Sequence, residues 1–299
     1  MNIRYGLNEN TINVTEMCFK KLLVRNIIKI PACDIRRANI FTDPMYGISK
    51  NIYIYMNDTE TVYDDNQNIN INIRDNTITT IDENVINRKI SEIHSTLKLN
   101  YGTLNDELPE QRMVVRYFTG NEKVLELGGN VGRNSLVIGR LLSKSNNNNF
   151  VTLESNNDIS KQLIENRDAN DLHFHIENSA LSKRKLIQKD WDTIISDEVL
   201  DGYKSVNNIS LEELYSKYNI EFDTLVLDCE GAFYYILIDM PEILNNIKLI
   251  IMENDYWEVE KKEYIDDILR QNNFYRDYFE PGGWGPCQPR FFEVWKKDA

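Results

Sequence analysis

Val124-Leu-Glu-Leu-Gly-Gly-Asn-Val-Gly-Arg-Asn-Ser135 is the stretch on which the reading of this chain turns. Val124–Leu127 is predicted as a short apolar strand, Gly128 to Gly132 as a tight turn, and Asn134–Leu142 as a helix whose apolar residues recur at helical spacing. Gly128 and Gly132 can take backbone angles that other residues avoid and let a ligand come close to the main chain. The start of the following helix offers unpaired N–H groups. The spacing is E-x-G-x-x-x-G and not the G-x-G-x-x-G that holds a pyrophosphate. Glu126 also places a carboxylate beside the loop, which repels a diphosphate and attracts an ammonium. The loop chemistry therefore favours a zwitterionic ligand with a positive centre, held by Glu126, Gly128, Gly129, Asn130, Gly132 and Asn134.

Downstream of this stretch, strand and helix patterns alternate. Strands are expected at Phe150–Leu153, Leu172–Ile176, Thr224–Leu227, Leu249–Met252 and Phe291–Trp295, with helices at Ile159–Asn166, from Phe233, and at Tyr264–Gln271. Alternation of this kind implies a mainly parallel sheet with helices on both faces. In such sheets ligands bind at the carboxyl ends of the strands. Two of those ends carry acids. Glu154 closes Phe150-Val-Thr-Leu-Glu154 and is placed to accept two hydrogen bonds from a ribose diol. Asp228 ends the apolar strand of Phe222-Asp-Thr-Leu-Val-Leu-Asp-Cys-Glu-Gly231, with Glu230 two residues on. Both should face the crevice beside Gly128, where they can position a cationic group or accept a proton.

In this order the segments resemble the FkbM-type methyltransferase family. Val124–Ser135 is similar to its first motif, Glu154 matches its ribose acid, and Asn178-Ser-Ala-Leu-Ser182 resembles its N-x-A-L-S segment beside the adenine. Leu227-Asp-Cys-Glu-Gly-Ala232 looks like its D-x-E-G-A motif, and Ile250-Ile-Met-Glu253 like the strand that follows it. The resemblance covers roughly residues 105 to 255. It implies a Rossmann-like class I sandwich with a seven-stranded sheet. It also implies S-adenosylmethionine as methyl donor, S-adenosylhomocysteine as product and a hydroxyl of a sugar, glycan or other small molecule as acceptor. Carried over residue by residue, Asp228 and Glu230 are catalytic, and Asn178, Ala180 and Asp228 join the cofactor set. Val226 stands where such families often carry a lysine, so no lysine-assisted step is expected. Glu253, Asn254 and Trp284 are candidates for touching the acceptor, and Asp228 with Glu253, Asn254 or Asp255 for an octahedral divalent cation. Tyr101 and Glu110-Gln111 precede the glycine loop and are candidates for closing over the cofactor.

Residues 1–80 read as a separate β-rich module, with the methyltransferase-like domain over 81–299. Val14 to Asn26 has helical spacing, with Thr15 as its expected cap, and Ile81 to Leu99 reads as a helix. Ile69, Ile71 and Ile73 alternate with polar residues and suggest an exposed strand. The module offers a route to homo-oligomers, or to binding a glycan or protein in a chain that no longer catalyses. That alternative stands beside the enzyme.

Composition narrows the partners. Among 299 residues, 41% are hydrophobic and 27% charged, an ordinary globular balance, while the net charge of −13 argues against a nucleic-acid partner, which needs a basic face. No run of 18 apolar residues exists, and the first residues lack a signal-peptide pattern, so no membrane partner and a cytoplasmic location are expected. Cys18, Cys33, Cys229 and Cys287 form no CxxC pair and read as buried free thiols. His173 and His175 share a strand face without the carboxylates of a zinc site. A nicotinamide-dependent dehydrogenase or epimerase is a third class, disfavoured by the missing G-x-G-x-x-G.

Overall fold

The structure is a computed structural model and describes residues 1–190 and 192–297. The chain divides into two compact units, Met1–Lys89 and Ile90–Ala299.

The first unit contains two four-stranded antiparallel sheets. One is built from Asn2–Leu7, Asn10–Asn13, Asn51–Met56 and Thr59–Tyr63, the other from Leu23–Val24, Ile27–Ile30, Gln67–Asn72 and Thr77–Asp82. Their alternating isoleucines meet in one core: Ile3, Ile28, Ile52, Ile69 and Ile71 are fully buried with Tyr5 and Phe41. The expectation of an exposed strand at Ile69–Ile73 is thus corrected. Alternation put the isoleucines on one face, but that face is covered, and on the other Asn70 and Asn72 are half-buried while Asn68 is buried. Thr15 also serves otherwise than expected. The helix Thr15–Lys21 has Val14 at its N-cap position and no side-chain cap, because the Thr15 hydroxyl accepts the Ile3 N–H at 2.8 Å.

Two fully buried cations fix the connections of this unit. The Arg37 guanidinium donates to the carbonyls of Pro31, Asp64 and Gln67 at 2.7–2.8 Å. Lys50 lies 2.9 Å from Asp34 and 2.8 Å from Asp43. A buried charge is tolerable only when it is paired in this way.

The second unit holds a seven-stranded sheet. Its strands are β1 (Val124–Leu127), β2 (Phe150–Leu153), β3 (His175–Glu177), β4 (Thr224–Leu227), β5 (Leu249–Glu253), β6 (Phe274–Glu280) and β7 (Phe292–Lys297). They lie in the order β3-β2-β1-β4-β5-β7-β6, all parallel except β7, which runs antiparallel to both β5 and β6. Every residue of β1, β2 and β4 is buried, as central parallel strands covered on both faces must be.

The helices are α1 (Leu108–Tyr117), α2 (Arg133–Ser143), α3 (Asn157–Asp168), α4 (Leu211–Tyr218), α5 (Ala232–Asp239) and α6 (Val259–Gln271). Helix α1 packs on α2, β5 and β7, and α5 packs on α6, which connects β5 to β6. Strand order reverses between β1 and β4. Right-handed crossovers send the helices on either side of that point to opposite faces, which opens a crevice over the tips of β1 and β4. The Rossmann-like, mainly parallel sandwich expected from the sequence is the fold of this unit. Strand β6, whose apolar residues are broken by charges, helix α4 and the three short strands within 186–205 are additional to the elements expected from the sequence.

All four cysteines are free. Cys18 and Cys287 are buried and Cys229 is half-buried. Cys33 is exposed, contrary to expectation, because it occupies the N-cap position of helix Asp34–Phe41 at a left-handed φ of 76°. Among the described residues no helix is long and apolar enough to cross a membrane.

Candidate active site

The glycine loop is shaped by what it must pass. At Gly128 φ is +89°, and a Cβ there would lie 1.6 Å from the Asp228 carbonyl oxygen, so the tips of β1 and β4 meet backbone to backbone. At Gly132, φ +94°, a Cβ would lie 2.5 Å from a Leu163 methyl of α3. Both positions require glycine for conformation and for space. Gly129 shares with Gly128 a pair of N–H bonds to the Leu153 carbonyl, at 2.9 and 3.0 Å.

Glu154, at the tip of β2, is tied to this loop. Its Oε2 accepts the Asn130 N–H at 2.9 Å and its Oε1 the Asn156 N–H at 2.7 Å. Burial raises its pKa while these amides pull it back down. Asn178 stands behind it, donating to the Glu154 carbonyl at 2.8 Å. In front lies a cavity of about 430 Å³. Gly128, Asn130, Glu154, Ala180, Asp228 and Glu230 line it, with Leu181 and Ile236 among its apolar walls.

A second, much smaller hollow of about 10 Å³ lies under the loop, walled by Glu107, Glu110, Glu126, Asn134, Asp228 and Glu253. Glu126 is buried, accepts the Ser135 hydroxyl and takes the Asn134 amide at 3.4 Å; burial pushes it up to about 7. Glu253 is raised to about 9 by burial and by its hydrogen bond with Glu110, whose own value burial lifts to about 7. Asp228 is held well above the carboxylate range by burial and by the charges of Glu253 and Glu107. Arg133 pairs with Glu107 at 3.0 Å. Asn134 Oδ1 and Glu110 Oε2 are buried acceptors with no hydrogen-bond partner among the described residues. Acceptors and carboxyls crowded in this way favour a cationic donor.

Glu230 takes a left-handed φ of 48°, followed by Gly231 at 79°. This bend turns its carboxyl to Asp255, to which it is hydrogen-bonded; burial and that bond raise it to about 8. A carboxyl near this value is matched to proton transfer around neutral pH.

No family model matches the chain, and no curated protein does. Solved structures are similar to it. One is an O-methyltransferase from Bacillus cereus in complex with SAH, at 12% identity over 72% of this chain and 91% of that one, with a TM-score of 0.40. Another is a ribosomal protein methylase from Lactobacillus delbrueckii subsp. bulgaricus, at 11% identity over 68% and 84%, TM-score 0.41. A third is a protein of the NADB-Rossmann superfamily from Streptococcus agalactiae, at 14% identity over 64% and 68%, TM-score 0.40.

The expected residues do not all converge. Gly128, Asn130, Glu154, Ala180, Asp228 and Glu230 share the large cavity, and Glu126, Asn134 and Glu253 share the small one with Gly128 and Asp228. Gly129, Gly132 and Asn178 shape these walls from behind. Asn254 is fully buried and donates its amide to the Arg290 carbonyl at 2.8 Å, bracing the loop before β7. Trp284 is exposed and packs on Phe291, with ring centres 5.9 Å apart. Cys287 lies 3.5 Å from the Tyr256 carbonyl, outside either cavity. Among the described residues no group of three or more His, Cys, Asp or Glu is arranged to hold a metal ion.

Glu107 was missed by sequence reading, and Glu110 entered only by position. Their signal was a pair of glutamates at i, i+3 astride Pro109, at the entry to a helix that buries Met113 and Val114.

Proposed function

We propose that this chain is an S-adenosylmethionine-dependent methyltransferase that methylates a hydroxyl oxygen of a sugar, glycan or other small molecule. One observation carries the reading: the glycine bend closes on Asp228 and on the Glu154 carboxylate, so that a roomy cavity and a carboxyl-lined hollow adjoin at the β1/β4 switch point. The lining separates this from a nicotinamide site. Glu107, Glu110, Glu126, Asp228 and Glu253 present carboxyls where a pyrophosphate needs cations or amide donors, whereas the unpartnered Asn134 and Glu110 oxygens fit an ammonium donor.

When bound, the sulfonium cofactor supplies an electrophilic methyl group with a neutral leaving group. Glu154 is placed to hold the ribose hydroxyls beside Asn130, and Ala180 and Leu181 form an apolar wall for the adenine. Glu126, Asn134 and Asp228 hold the charged methionine end. Glu230 and Asp228 face the large cavity, where they orient the acceptor hydroxyl and take its proton. Holding the acceptor in line is the main task, since a properly oriented pair reacts with effective molarities far above those in solution. The presence of both carboxyls in the cavity favours this reading over a module that binds without catalysis.

The test is incubation with methyl-labelled donor and a panel of carbohydrate and small alcohol acceptors, read by mass spectrometry. Label is expected on a hydroxyl oxygen and is expected to vanish in Asp228→Asn. Label on nitrogen, or transfer unaffected by Asp228→Asn, would overturn the reading.

A further inference from the structure

We infer that Trp257, together with the neighbouring Glu230–Asp255 carboxyl pair, is the platform on which a neutral sugar ring of the acceptor lies; this deepens the methyltransferase reading and rests on it. Strand β5 ends at Glu253, and the chain then turns over the rim. Tyr256 is buried there, but Trp257 is 71% exposed. An indole is among the largest apolar surfaces a chain possesses, and leaving it in water forfeits much of its burial energy.

The ring has a neighbouring loop on one part of it: a Cβ built at Gly285, in the 282–285 loop, would meet indole carbons Cε3 and Cζ3 at 3.7 Å. That loop is held by the Gly282 N–H on the Gln288 carbonyl at 3.1 Å and the Gln288 N–H on the Gly285 carbonyl at 3.2 Å.

Two residues before the indole is Asp255, the hydrogen-bond partner of Glu230, and Glu230 lines the large cavity. The bend at Gly231 also comes near this segment: a Cβ built there would stand 3.5 Å from the Asp255 carbonyl oxygen. Glu230 thus links the large cavity to Asp255, and the exposed ring follows two residues further along the chain. A pyranose has an apolar C–H face and a rim of hydroxyls. The first matches an indole, and the second matches carboxyls that accept or share hydrogen bonds. The acidic surroundings discriminate against phosphorylated or carboxylated sugars.

The experiment uses the full chain saturated with S-adenosylhomocysteine on an array of neutral, anionic and amino-sugar glycans, followed by tryptophan fluorescence titration with the best-bound glycan. Neutral glycans should be retained and should shift the emission to shorter wavelength. Trp257→Ala should weaken binding by about tenfold or more, the scale of one stacking contact, and Trp257→Phe should restore most of it. Both variants should keep wild-type affinity for S-adenosylhomocysteine by calorimetry, which shows them folded. The platform is overturned if no glycan binds to a chain that does bind S-adenosylhomocysteine, if anionic or amino-sugar glycans are preferred, or if Trp257→Ala binds as the wild type does. Neutral-glycan binding that depends on Trp257 in a chain without affinity for S-adenosylhomocysteine would leave the platform standing and remove the methyltransferase reading instead.

Discussion

Replacing Glu154 by glutamine exchanges one carboxylate oxygen for an NH2 group, and the structure gives both oxygens work. Oε2 accepts from the Asn130 N–H and Oε1 from the Asn156 N–H, at 2.9 and 2.7 Å. A carboxylate only accepts, while a glutamine amide has a single acceptor oxygen. Whichever way it turns, one backbone N–H then faces another donor. A hydrogen bond to a charged acceptor contributes about 1.5–3 kcal/mol, and a buried donor left without a partner costs about 1–3 kcal/mol. Glu154 is only 7% exposed, so water compensates little of this loss. If the amide oxygen stays with Asn156, the glycine loop at Asn130 loses its tether. Affinity for S-adenosylhomocysteine should then fall by about tenfold to a hundredfold, at about 1.4 kcal/mol per tenfold, and the melting temperature should fall with it. Titration calorimetry and a thermal melt read the two effects separately. A Glu154→Gln chain that binds and melts as the wild type does would refute the assignment of this carboxylate to the loop and the ribose.

The other predictions concern the strand tips and the buried carboxyls. Gly128→Ala would put a Cβ 1.6 Å from the Asp228 carbonyl oxygen at a φ of +89°, so the two strand tips must separate; reduced melting temperature and loss of S-adenosylhomocysteine binding are expected, and normal values of both would contradict the packing. Asp228→Asn should lower turnover about a hundredfold or more while leaving cofactor affinity within about tenfold, the pattern of lost proton transfer; the labelled-donor assay and calorimetry distinguish this from lost binding. The ligand-free protein should also lose stability as pH rises from 6 to 9. Glu110 and Glu126 sit near 7, Glu230 near 8 and Glu253 near 9, all above the roughly 4.3 of an unfolded glutamate. Between those values the folded chain holds protons that the unfolded chain has released, so stability falls with rising pH across the window. A cationic ligand should expel some of these protons, making the binding heat depend on buffer ionisation enthalpy; a flat melting profile with buffer-independent heat would count against the carboxyl-lined hollow.

Local chemistry made part of this molecule legible in its sequence. Val124–Leu127, Phe150–Leu153 and Thr224–Leu227 are strands at the predicted residues because short apolar runs ending in glycine or acid admit few alternatives. The convergence of Gly128, Glu154 and Asp228 follows from parallel strands sharing one carboxyl edge. What depended on distant partners was not legible. Helix α1 brings Glu110 against Glu253 across 143 positions of chain, and no pattern within either segment announces the other. Asn254 looked like an acceptor-binding residue from its place at a strand tip, yet its amide is used on Arg290. Trp284 stands in a conspicuous glycine-rich loop yet packs on Phe291, whereas Trp257 lies in a plain acidic segment two residues past Asp255. Ile69 and Ile71 show the same limit: alternation reveals that a strand has two faces, but not how many of them are covered.

Titration of the wild-type chain with S-adenosylmethionine, set beside an identical titration with NADH, tests the central claim most directly. A carboxyl-lined hollow under a glycine bend predicts saturable binding of the sulfonium compound and no measurable heat with the dinucleotide. Saturation by NADH, with S-adenosylmethionine giving no heat, would contradict it.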